Sequence, residues 1–290
     1  MTGVKRRLLA EVVGQAVTSV VRGALDQQTP GGQARWTRTN HRGEPVSMLE
    51  GPAVATGLLA GLAVGAPDAR SRAALGVATA SAAVFGIVDD LAEDTTARRK
   101  GLRGHLGALA HGELTTGGLK VLGIGVGALA AAAIATPRGA GSSKLGRLAD
   151  IGASGALIAL SANLVNLLDL RPGRALKAVN LVAAPLALAP GAGGGAGAAI
   201  VGASQAAIVD DLAETDMLGD GGANALGAAL GTALVIGAPR PLRLAALAAV
   251  AALTVASEKV SFTRVIESTP VLRDIDAWGR RPVHEAVPPR

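Results

Sequence analysis

The sequence runs to 290 residues, 49% of them hydrophobic and only 17% charged, where an ordinary soluble protein carries about 25% charged residues. There is no cysteine, which excludes disulfides, thiolate nucleophiles and thiolate metal sites. The net charge of +6 is modest, and in so apolar a chain basic loops report orientation in a membrane, not nucleic-acid binding.

In chain order, the apolar windows have the length a bilayer crossing needs, about 20 residues. The first, Leu8–Leu25, follows Lys5–Arg7 and contains Glu11 and Arg22. It does not read as a cleavable signal peptide; it either spans or lies on the inner membrane surface. Val46–Ala66, Ala73–Val88, Gly117–Thr136 and Leu148–Leu168 follow, each with at most one charge, close to an end. Ala178–Val209 is too long for one span, and its centre, "APGAGGGAG", predicts a tight turn between two short helices. Gly221–Ala238 and Leu242–Ser257 complete the set. The prediction is an all-α, polytopic transmembrane helical bundle of eight or nine spans. Residues 1–290 form one integral membrane domain, with residues 258–290 as a cytoplasmic C-terminal segment. The abundant Gly and Ala fit such a bundle, because small residues let helix backbones approach closely.

Placing Arg98, Arg99, Lys100 and Arg103 in the cytoplasm sets the topology. The loops on that side then hold sixteen Lys and Arg against seven opposite. If Leu8–Leu25 spans, Lys5–Arg7 fall outside, against the rule.

This topology gathers carboxylates at the cytoplasmic face. The hexapeptide VDDLAE occurs at Val88–Glu93 and again at Val209–Glu214, each time closing an apolar window. Acids at a helix C-terminus meet the negative end of the helix dipole, so they need a partner. Asp89 and Asp90 are either a solvated helix end balanced by the following arginines or part of a hard-cation site. Asn163, Asn166 and Asp169 recur every third residue and lie roughly along one helix face; they are either interhelical hydrogen-bonding groups or a functional line of polar residues. Arg171 and Arg174 in "LRPGR" supply guanidiniums suited to phosphate. Asp220 precedes Gly221 and Gly222 at the head of an apolar helix, as an N-cap or as a ligand beside an anion-binding helix start. In the first loop, Arg38 and Arg42 either touch phosphates or belong to a solvated basic loop. His105 and His111 are six apart, too far for an i, i+4 metal pair, and read as ordinary loop histidines.

Four stretches carry a resemblance: "IVDD" at 87–90, "KGLRGHLGALAHGELTTGGLK" at 100–120, "NLVNLLD" at 163–169 and "MLGDGGANALG" at 217–227. Their order and placement at the cytoplasmic ends of spans resemble the polyprenyl-phosphate sugar-1-phosphate transferase family, which includes phospho-MurNAc-pentapeptide translocase and the GlcNAc-1-phosphate transferases. The resemblance covers roughly residues 36–280. It implies Mg²⁺-dependent transfer of a sugar-1-phosphate from a UDP-sugar to a polyprenyl phosphate at the inner face of the plasma membrane, in cell-wall or envelope polysaccharide synthesis. It further implies Asp89, Asp90 and Asp169 as catalytic residues, and Asp220 and Asp169 as metal ligands. Asn163, Asn166, Lys100, Arg171 and Arg174 would contact substrate. Membrane lipid is the other expected partner, nucleic acid is not one, and a homodimer is compatible with the reading.

The chain departs from the family pattern in two places. "DLRPGR" replaces the Asp-Gly-x-Asp continuation, and the C-terminal segment has no histidine pair, only His284. These losses motivate an alternative, a catalytically retired relative that binds polyprenyl phosphate or partner proteins and regulates envelope assembly. A third reading, a transporter with an acidic relay, fits less well because the acids lie at helix ends, not mid-span. The second VDDLAE falls outside the family motif and reads as compositional convergence, not duplication.

Overall fold

The structure, a computed structural model, describes residues 3–92, 116–136 and 143–282. Among these the chain is all-helical, as expected, with twelve helices and one small hairpin. The helices are α1 (Gly3–Gln27), α2 (Gln33–Trp36), α3 (Glu50–Gly65), α4 (Ala69–Ala92), α5 (Thr116–Ala135), α6 (Lys144–Leu168), α7 (Arg174–Leu188), α8 (Gly194–Leu212), α9 (Gly219–Gly237), α10 (Arg240–Ser257), α11 (Phe262–Ser268) and α12 (Pro270–Ala277). Strands β1 (Thr37–Thr39) and β2 (Pro45–Ser47) pair antiparallel between α2 and α3, with Arg38 opposite Val46. Five helices, α1, α4, α5, α6 and α10, are long and apolar enough to cross a membrane. The predicted turn inside Ala178–Val209 is the break between α7 and α8.

Short connections, such as those between α3 and α4 and between α9 and α10, fold helices back on one another, and small residues set how closely they pack. Gly57, Gly61 and Gly65 of α3 meet α1 around Ala10, Gly14 and Thr18. A Cβ at Gly61 would lie 2.8 Å from the Ala10 carbonyl oxygen and 2.9 Å from the Ala199 Cβ of α8. Small residues let the helix backbones approach this closely. Residues 8–25, read as either spanning or surface-lying, belong to α1, which packs against α3 and α8. Its charge is accommodated because Arg22 forms a two-pronged ion pair with the buried Asp216, at 2.7 and 2.8 Å. The buried Thr18 hydroxyl donates back to the Gly14 carbonyl.

At the centre stands α9, fifteen of whose nineteen residues are buried. It packs against α4 on one side and α6 on another. Its head, Gly219, lies at the end of the bundle where α4, α6 and α8 finish and where α3, α5 and α7 begin. We call this the acidic end. The C-terminal helices α11 and α12 dock there, through the Arg174–Asp276 and Arg281–Glu44 ion pairs and the bond from Arg280 to the Pro172 carbonyl. The hairpin is also held at this end: Arg42 bonds Glu214 at 2.8 Å and the carbonyls of Arg281 and Pro282. The expected basic loop is thus an ordered element, tied on both sides.

Candidate functional site

The site is built around the first turn of α9. Asp89 and Asp90 close α4, and as neighbours on a helix they point about 100° apart. Asp89 Oδ2 sits 2.6 Å from Lys120 Nζ, which enters from the first turns of α5. The same ammonium reaches Asp220 Oδ2 in the first turn of α9. One lysine therefore bridges carboxylates from two other helices.

Asp90 turns to backbone instead. Its two oxygens accept the N–H groups of Asp220 at 3.0 Å and Gly221 at 2.9 Å. Asp169 lies just past the end of α6, within electrostatic reach of Asp90 and Asp220. A helix leaves its first N–H groups without internal partners, and the N-cap position of α9, Leu218, offers no side-chain acceptor. Asp90, from α4, thus caps two consecutive donors of α9. Gly219 has φ 61°, the left-handed region that glycine enters without strain. Gly86 makes the approach of α4 possible, since a Cβ there would lie 2.8 Å from the Gly221 Cα. Burial pushes the Asp169 carboxyl well above the usual carboxylate range, and the Asp211, Asp220 and Asp90 carboxylates add to the effect.

Four sequence-predicted residues, Asp89, Asp90, Asp169 and Asp220, are therefore brought together. Asn163 and Asn166 are half-buried in the last turns of α6, and the Asn166 carbonyl accepts the Asp169 N–H at 3.1 Å. The two arginines have other partners. Arg171 lies 3.8 Å from Glu267 on the surface. Arg174 is buried and bonds both oxygens of Asp276, at 2.8 and 3.0 Å, and the Thr263 hydroxyl at 2.9 Å. Lys100, His105, His111 and His284 fall outside the described residues, as do Arg98, Arg99 and Arg103.

Sequence reasoning missed Lys120 as a site residue. Its signal was a lone charge at the head of an apolar window, which reads equally well as an interface anchor. It also missed the work of the second hexapeptide. Asp211, the counterpart of Asp90, accepts the N–H of Gly173 at 3.2 Å, and Gly173 is the N-cap position of α7. Each copy thus ends one helix and caps the start of another. Glu214 closes the second copy with φ 61°, unusual for a side-chain-bearing residue, and Arg42 and Asn40 hold its carboxylate at 2.8 and 3.0 Å.

The donor chemistry suits a hard cation. Mg²⁺ takes one or two carboxylates and leaves the remaining positions to waters and phosphate oxygens. Asp89 and Asp220 already present two oxygens to one cationic atom, Lys120 Nζ. Among the described residues, no group of three or more acidic, histidine or cysteine side chains is arranged to hold an ion alone. A divalent ion here would need water or ligand oxygens to complete its shell.

No protein-family model matches the chain, and no curated protein matches it significantly.

Proposed function

We propose that this chain is an integral membrane transferase of the polyprenyl-phosphate sugar-1-phosphate type, resident in the plasma membrane with its acidic end facing the cytoplasm. In this reading α1 and α3–α10 are nine spans. The loop count of basic residues favours that orientation, and the exposed apolar positions Val126 (66%), Leu181 (79%) and Val255 (65%) face lipid. A lipid phosphate oxygen bonds to the β-phosphorus of a UDP-sugar, the bond from that phosphorus to the UMP oxygen breaks, and UMP leaves. The product is a lipid-diphosphate sugar for envelope polysaccharide or peptidoglycan.

One observation carries the reading: carboxylates from α4 and α9 meet a lysine from α5 at the head of a central helix, with Asp169 of the α6 end within electrostatic reach. Phosphoryl transfer asks mainly for alignment and neutralised charge, and this cluster can supply both. Asp220 with Asp89 or Asp169 would hold Mg²⁺, whose contribution when bound is to polarise phosphoryl oxygens. Lys120 brings an ammonium to the same point. Asp90 fixes the head of α9, and through it the position of Asp220.

A second reading, the retired relative, has its own support. Lys120 is already paired with both Asp89 and Asp220, and Arg174 is committed to Asp276. Release of UMP separates the two. Purified protein with Mg²⁺, undecaprenyl phosphate and either UDP-GlcNAc or UDP-MurNAc-pentapeptide is expected to release UMP, and Asp220→Asn to abolish it. Absence of UMP across a panel of UDP-sugars, with lipid phosphate still bound, favours the retired relative.

A further inference from the structure

At the other end of the bundle the charge is reversed. The α3–α4 turn, the end of α5, the start of α6, the end of α9 and α10 surround a cavity of about 490 Å³. Arg70, Arg147 and Arg243 line it, with Asp68, Asp150 and Thr136. Both carboxylates are already used. Asp68 accepts the Ser71 N–H at 2.8 Å and the Ser71 hydroxyl at 3.0 Å, capping α4. Asp150 accepts from Arg240 Nε at 2.8 Å.

The cationic side is not satisfied. The Nε atoms of Arg147 and Arg243 and the Thr136 hydroxyl are buried and have no hydrogen-bond partner among the described residues. The bond from Arg243 Nη1 to the Ser154 hydroxyl is long, 3.3 Å. Native proteins leave few buried polar atoms unpaired, and three around one cavity call for a ligand rich in acceptors. Guanidiniums match tetrahedral oxyanions, which can accept from several N–H groups at once. The volume falls in the range of small-molecule sites, roughly 300–1,000 Å³, and so holds a phosphate together with the group that bears it.

We propose that this cavity binds a phosphate-type oxyanion, gripped by Arg147 and Arg243 with Thr136, and with the exposed Arg70 adding positive potential. The site is separate from the acidic cluster and does not depend on the transfer reaction proposed there. The phosphate is either a free anion or the headgroup of an anionic lipid.

The test uses the full chain purified in a neutral maltoside detergent. One arm measures Tm with inorganic phosphate against chloride of equal ionic strength. The other measures, by native mass spectrometry, retention of phosphatidylglycerol against phosphatidylcholine after extraction from vesicles. A phosphate-dependent rise in Tm identifies the free anion; selective retention of phosphatidylglycerol identifies the headgroup. Either effect should fall several-fold in Arg147→Gln and Arg243→Gln, while Asp220→Asn leaves it intact. The milder Thr136→Val carries the test should either arginine variant fail to fold. Absence of both effects in the wild type overturns the proposal, as does an effect undiminished in every variant that folds.

Discussion

Asp276 ties the C-terminal helices to the bundle, and removing it should release them. Arg174 grips both of its oxygens, Arg280 adds a third bond at 2.7 Å, and the Arg174 and Asp276 side chains are only 4% and 9% exposed. Asp276→Ala leaves the Arg174 guanidinium buried beside the Thr263 hydroxyl. Removing one partner of a buried pair costs about 3–5 kcal/mol. Lys177 still donates to the carbonyls of Ile275, Asp276 and Trp278, so the lower end applies. About 3 kcal/mol is roughly a 150-fold shift toward the undocked segment. Amide hydrogen exchange over Phe262–Ser268 and Pro270–Ala277 reads this directly, with α9 amides as the unchanged control. There is also a pH arm. Burial alone would raise the Asp276 carboxyl, but the Arg174 and Arg280 guanidiniums outweigh it and hold it below the usual carboxylate range. A depressed folded-state value contributes stability that is present above the unfolded value, about 3.9, and is lost as pH falls through the folded one. The wild-type segment should therefore stay docked at pH 5 and loosen only below about pH 4, a dependence the alanine variant lacks. Equal exchange in the two proteins would refute the reasoning.

Two further substitutions probe the packing. Glu50 is 2% exposed, neither carboxylate oxygen has a hydrogen-bond partner among the described residues, and the neighbouring cavity of about 10 Å³ holds at most one water. Glu50→Leu should raise the thermal midpoint in detergent by the equivalent of about 1–3 kcal/mol, since it removes an unsatisfied buried group; a lowered midpoint would mean that the carboxyl serves a ligand. Gly61→Leu should cost at least about 1–3 kcal/mol by overpacking the α1–α3–α8 contact, and an unchanged midpoint would contradict the close approach.

Much of the architecture is legible in the sequence, because long apolar windows and a glycine-rich break are local signals. What escapes is non-local. Leu8–Leu25 is ambiguous on its own, since nothing nearby announces that Arg22 will meet Asp216, 194 residues on. Arg174 reads as a phosphate ligand until Asp276 is found beside it. The helices also sort in an unexpected way. Length and hydropathy single out α1, α4, α5, α6 and α10, while the most enclosed helices, α8 and α9, are rich in Gly and Ala. A helix surrounded by other helices needs smallness for close packing, and small residues carry little hydropathy. The acids were legible as a cluster, because each closes or opens an apolar window at the same end. Their division of labour was not: whether an aspartate caps backbone, as Asp90 does, or faces a cation, as Asp89 does, depends on which side of α4 meets α9.

The central claim is that carboxylates distant in sequence form one cation-binding site with Lys120 between them. Electron paramagnetic resonance of Mn²⁺ with the purified chain and UDP-GlcNAc tests it most directly. One bound ion per chain is expected, weakened in Asp89→Asn and in Asp220→Asn and tightened in Lys120→Met, where no ammonium competes for the same oxygens. Binding indifferent to all three substitutions would contradict the account.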